Sequence, residues 1–348
     1  MIRPFDWRDF PTLHRHRERG LCLDMSLELT RSMTLVPVGA LLSYVAPATG
    51  IFTFIAMENG NSSSKVIGQF VYTPGSSSAQ LTFLSPESAL TETHTISLLD
   101  HLAVQAGKQG AHNLLAEVSE RSIAFEIMRK AGYAIYARQR IWKIPKLPPN
   151  QADSSQALPG PTWRTATEQD VGPIRQLYSS LVPALVQQTE PSLWEQINGL
   201  VCYQEEELIG YVHLISGPNG ILAQPILHPN VERVTEHLNE IVTLIPNRRA
   251  LPLYFVVRSH QAWLELYLTE LGAEAGIYQA VMVKRLAILQ KVTLPLRVPN
   301  KGLEVVQPEV PAATIVAPFT LSKAAENGDC QNLKKTPVMH TGIQTSEV

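Results

Sequence analysis

The stretch Glu117-Val118-Ser119-Glu120-Arg121-Ser122-Ile123-Ala124-Phe125-Glu126-Ile127-Met128-Arg129-Lys130-Ala131-Gly132-Tyr133 decides the fold. It opens on the end of an apolar strand, Asn113 to Val118, and runs on as a helix that closes at Ala131-Gly132-Tyr133. Glycine suits that place because a helix C-cap needs positive φ, which a Cβ disfavours. The same pattern returns downstream as a strand, Pro252 to Val257, and a helix closing at Leu271-Gly272-Ala273.

Working outward, the likeness extends upstream in both places. Val66 to Val71 and Leu208 to Val212 read as second arms of hairpins, Leu81 to Leu84 ends at Ser85-Pro86, and Ile221 to Ala223 ends at His228-Pro229. Helical stretches follow at Thr95 to Gln109, with Ile96, Leu99, Leu102 and Val104 as its buried stripe, and at Val231 to Leu244. Gly68 lies 64 residues before Gly132, and Gly210 lies 62 before Gly272. Such agreement predicts a duplicated α/β unit with a mixed sheet in each copy. The expected boundaries are 1–145 for the first copy and 162–287 for the second. A Pro-rich linker, 146–161, separates them, and a disordered tail, 288–348, follows.

The chain has 348 residues, 45% hydrophobic and 17% charged, enough apolar material for two cores. A net charge of −2 without a long basic block argues against nucleic acid as a partner. Cys22, Cys202 and Cys330 fit neither a disulfide framework nor a zinc site, which points to a reducing cytoplasm. No stretch reaches the roughly 18 apolar residues of a membrane span. None of the His/Glu groupings has metal-ligand spacing, so no metal is expected.

The order hairpin, strand ending in x-Pro, long helix, strand, Gly-capped helix and last strand resembles the GNAT acyltransferase fold. The opening stretch is similar to that family's signature Asn-x-x-Ala-x-x-x-Tyr-x-Lys-x-Gly-Phe, keeping Ala124, Lys130, Gly132 and the aromatic Tyr133. The resemblance implies two tandem GNAT-like folds and transfer of an acetyl group from acetyl-CoA to an amine, borne by a small molecule or a peptide. In the first copy the cofactor would lie between splayed fourth and fifth strands, held by Phe83, Leu84 and Ser85 and by Thr91, Thr93, His94 and Thr95 at the next helix. Glu117, alternating with Leu115, is the candidate base, buried enough to have a raised pKa. Tyr133 is the candidate acid, with Tyr136 nearby.

Three departures fall on the chemistry. The family's Arg/Gln-x-x-Gly-x-Gly/Ala loop holds pyrophosphate on backbone N–H groups. Here it reads Glu87-Ser88-Ala89-Leu90-Thr91-Glu92-Thr93-His94-Thr95 in the first copy and Asn230 to Glu236 in the second, both without glycine. The signature tyrosine is replaced by Met128 and Leu268, and Val257 aligns with Glu117. Two functions therefore stay open: acetyl transfer in the first copy, or a non-catalytic GNAT-like scaffold for ligand binding or interaction. Fused copies predict a monomer built as a pseudo-dimer, or a weak homodimer.

Overall fold

The computed structural model describes residues 1–16, 19–31, 39–41, 49–57, 65–90, 92–145, 163–194, 197–245 and 251–286. The predicted linker, the predicted tail and Thr91 lie outside the described residues. The described residues form one compact unit.

The first repeat runs β1 (Ile2–Pro4), α1 (Phe10–His16), β2 (Leu21–Cys22), α2 (Met25–Arg31), β3 (Ile51–Met57), β4 (Lys65–Tyr72), β5 (Ser78–Ser85), α3 (Glu92–Gln109), β6 (Asn113–Ser119), α4 (Ile123–Lys130) and β7 (Ala134–Ile144). The second runs β8 (Trp163–Thr165), α5 (Val171–Leu181), α6 (Ala184–Thr189), β9 (Gly199–Gln204), β10 (Glu207–Ser216), β11 (Ile221–Leu227), α7 (Val234–Leu244), β12 (Leu253–Arg258), α8 (Leu264–Glu270) and β13 (Glu274–Arg285). Gly132 and Gly272 follow α4 and α8 at φ of 84° and 72°, the left-handed caps that their type permits.

The start of each repeat is built by one device. Arg3 donates to both carboxylate oxygens of Asp9 at 2.6 and 2.7 Å, and Arg164 does the same to Asp170 at 2.8 and 2.7 Å. Each aspartate also accepts from the backbone N–H three residues upstream, at Asp6 or Thr167, so it caps the turn that leaves the strand.

Two sheets were expected, and one is found. Its order is β1-β3-β4-β5-β6-β13-β7-β12-β11-β10-β9-β8, with β2 on β5. The last strands are exchanged: β13 pairs with β6 of the first repeat, β7 pairs with β12 of the second, and β7 and β13 pair with each other. The physical reason is edge coverage. In the exchanged order β6, β13, β7 and β12 are all paired on both edges, so no central strand is left open where the repeats meet. Gln139 and Gln279, each seven residues past its capping glycine, face one another at the pseudo-dyad, where Gln139 Nε2 donates to Gln279 Oε1 at 2.9 Å.

Helices α3 and α4 cover one face of the first repeat and α7 and α8 cover that of the second. On the opposite face, α5 and α6 pack over β6, β7 and β13 through Ile174, Leu177, Tyr178 and Val186. The stripe on α3 is Leu98, Leu99, Leu102, Ala103 and Ala106, with Ile96 half-buried. Val104 is exposed rather than buried, because two residues from Leu102 the helix has turned through about 200°.

The repeats also clasp one another symmetrically. Thr30, at the end of α2, accepts from Asn219 N–H in the β10–β11 turn at 2.9 Å, and Thr189, at the end of α6, accepts from Ser78 Oγ at 2.7 Å.

Candidate functional site

Strands β5 and β6 run parallel from Ser78 opposite Asn113 to Gln80 opposite Leu115, then part. Thr82 is an extra residue in β5 relative to β4, and its Oγ1 donates to Gln69 O at 3.1 Å. This opening is where the family likeness would put the cofactor, and the chain's own backbone fills it. Leu21 and Cys22 pair with Leu84 and Phe83, on the edge of β5 that β4 leaves free. Leu23 N–H then donates to Thr82 O at 3.0 Å, while Leu23 O accepts from Glu117 N–H at 2.9 Å and Gln80 Nε2 at 2.9 Å. Gly20 allows this closeness, since a Cβ there would sit 2.1 Å from the Phe83 ring.

The residues present therefore do not fit acetyl-CoA in the first repeat. The β5 main chain beside Phe83 and Leu84 is already paired, and both side chains, like that of Ser85, are buried. At the loop after β5, Glu87 and Ser88 are exposed and no glycine opens a cradle. Thr93 is exposed with its carbonyl taken by Ser97 Oγ, His94 is half-buried, and Thr95 is fully buried with its hydroxyl unpartnered.

Glu117 is half-buried on the face of β6 that carries Leu115, the face its alternation with that residue predicts. Loss of hydration pushes its pKa up to about 7, opposed by the positive charge of Arg258. Its Oε2 accepts from Met25 N–H, the first residue of α2, at 2.8 Å. Tyr133 is not brought to it. The ring packs with Met128 and Ala131 in the core under α3 and α4, on the far side of the sheet, and burial pushes the hydroxyl pKa up. An acid must reach its proton acceptor, so Tyr133 is excluded geometrically from work beside Glu117.

In the second repeat β11 and β12 part after Ala223 opposite Phe255. Among the described residues no strand fills this opening. The buried side chain of Gln261 closes it instead, accepting from Leu227 N–H at 3.3 Å and donating to Leu227 O at 3.2 Å. Arg233, just before α7, holds a left-handed backbone, φ 51° and ψ 47°, of the kind glycine adopts freely, and pairs with Glu236 at 3.1 Å. The counterpart of Glu117 is Val256 rather than Val257, for Val257 packs on the helix-covered face as Val118 does. Leu268, at the signature tyrosine's place, is fully buried.

Sequence reasoning missed a buried charged group between the repeats. Arg258, at the end of β12, pairs with Glu190 after α6 at 2.7 Å, and both are only 9% exposed. Tyr136 Oη donates to the same Glu190 oxygen at 3.0 Å. Burial works against the charge of Arg258, but Glu190, Tyr136 and Glu117 together hold its pKa above the ordinary value. The one legible signal was an arginine closing an apolar strand, Leu253–Arg258. Among the described residues no group of three potential ligands could hold a metal ion, and no helix is long and apolar enough to cross a membrane.

No protein-family model and no curated protein sequence matches the chain. Solved structures do. The chain is similar to a GCN5-related N-acetyltransferase from Sphaerobacter thermophilus, at 12% identity and a TM-score of 0.52, over 83% of this chain and 97% of that one. It also matches a tandem GNAT protein from the clavulanic acid biosynthesis pathway, at 14% identity and a TM-score of 0.46, over 82% and 98%. A GNAT-family acetyltransferase from Colwellia psychrerythraea matches at 10% identity and a TM-score of 0.41, over 82% and 99%. At these identities likeness speaks to architecture alone, and of these three the first is close enough to carry that argument. Together with the duplicated order of strands and helices, it shows that the chain has the fold of the GCN5-related N-acetyltransferase superfamily.

Proposed function

We infer that the protein is a GNAT-fold binding module rather than an acetyltransferase. The observation that carries this reading is the backbone of Leu21–Leu23 hydrogen-bonded across the opening between β5 and β6. A cofactor held as an added strand needs those same N–H and C=O groups, so it competes with chain that is covalently present at high effective concentration. The glycine-free loop with its exposed Glu87 and the burial of Tyr133 away from Glu117 support it further. The second repeat has the less obstructed opening, since one side chain closes it, yet Val256 offers no base there.

Acetyl transfer from acetyl-CoA to an amine in the first repeat is the second reading. Glu117 favours it, as a half-buried carboxylate with pKa raised to about 7 beside the opening suits removal of an amine proton.

Two measurements separate the readings: calorimetric titration with acetyl-CoA, and thiol release over a panel of polyamines, amino acids and peptides. A binding module releases no thiol above the buffer rate, and any acetyl-CoA heat belongs to the second repeat and is lost in Arg233→Glu. Turnover that disappears in Glu117→Gln would establish the enzyme instead.

A further inference from the structure

On the face of the sheet under α2 and α6, polar side chains form a band across four central strands. Met25 Sδ accepts from Gln279 Nε2 at 3.0 Å, Gln279 Oε1 accepts from Gln139 Nε2 at 2.9 Å, and Gln139 stands opposite Arg258 in the β7–β12 register. Arg258 reaches Glu190, and Glu117 lies close enough to feel its charge. The band is not closed upon itself. Arg258 Nε and Nη1 and Gln139 Oε1 are buried without hydrogen-bond partners. Two unpaired donor groups of a cation and one unpaired amide acceptor, on neighbouring strands, describe a complement: a group rich in oxygen acceptors that also carries one donor.

The band exists on one side of the pseudo-dyad alone. Ser119 takes the place of Arg258, Val256 that of Glu117, and Arg31 that of Glu190, so the fold does not need these groups. Buried polar atoms without partners are unfavourable, and a structure that retains them where its own repeat does without them holds them for something else. The cover over the band is α2, whose Met25 contacts both Glu117 and Gln279, so access requires its first turn to lift.

We propose that Arg258 and Gln139 bind a small carboxylate bearing a hydroxyl or amino group at its α position, the carboxylate on Arg258 and the α donor on Gln139 Oε1. Glu190 pairs with the arginine through Nη2, and Asp24, Glu117, Tyr136, Tyr178 and His260 are other titratable groups around the site. The two binding groups, Arg258 and Gln139, lie outside the cofactor opening, so the site stands or falls independently of acyl transfer.

The test is thermal unfolding of the whole chain with sodium glycolate or glycine, against sodium chloride at equal ionic strength and against acetamide. Glycolate and glycine are expected to raise Tm by about 2–4 °C at saturation, with no rise for chloride or acetamide. The double variant Arg258→Gln/Glu190→Gln removes the pair together and is expected to fold and to lose the shift. Should the double variant not fold, the arginine Nε–H resonances of the unaltered protein answer the same question, one of them moving with glycolate and none with chloride. Equal shifts with chloride or acetamide, a shift that survives the double substitution, or arginine resonances indifferent to glycolate would each overturn the site.

Discussion

Glu117 is held in a place where its charge is unwelcome. The folded protein keeps a proton on it up to about pH 7, whereas the unfolded chain releases that proton near the ordinary value of 4.5. Stability is therefore expected to fall as pH rises through that window and to level off above it, by about 3 kcal/mol in all. Glu117→Gln keeps an acceptor for Met25 N–H, and its stability should vary less across the same range. Urea denaturation of both proteins through the window checks this, and identical pH profiles would show that Glu117 is not the group titrating. Other residue-scale features were plain in the sequence. Gly132 and Gly272 sit where their backbone freedom is used, and the alternation of Leu115 with Glu117 placed the carboxylate on a buried face. The paired Arg3–Asp9 and Arg164–Asp170 were equally legible, because six residues separate the partners in both repeats, but they went unread.

At the scale of elements, the inserted chain of the first repeat makes the difference between the two halves. Forty-five residues separate Asp9 from Phe54, and thirty-two separate Asp170 from its partner position Cys202, so the first repeat carries the extra length. That length contains β2, the strand that fills the cofactor opening. Gly20→Ala, forcing a Cβ against the Phe83 ring, is expected to loosen β2 while the rest of the sheet stays intact. Hydrogen exchange reads the outcome: the amides of Leu23 and Glu117, which close the opening, should exchange faster than in the unaltered protein. Unchanged protection there would mean that β2 is not held through this contact. The pairing of β2 escaped notice because two residues of strand carry no alternation to recognise.

Across the whole molecule, the exchange of β7 and β13 means that neither repeat is complete alone. A fragment of residues 1–145 would contain β6 with its edge bare and β7 without its partners β12 and β13. It is expected to be unfolded, or to assemble in pairs by trading β7, as judged by light scattering with circular dichroism. A folded monomeric fragment would show that the exchange is dispensable. The sequence by itself determined the duplication, the order of strands and helices from the hairpin onward in each repeat, the glycine caps and the loss of the glycine loop. Each of these depends on residues close together in the chain, where backbone preference and side-chain periodicity act directly. Only the tertiary structure decided which strand lies beside β6, that Leu21–Leu23 occupy the opening, and that Arg258 meets Glu190 across the repeats. Backbone N–H and C=O groups are the same in every residue, so a strand edge does not name its partner. That choice is made by packing and by the need to leave no central edge unpaired.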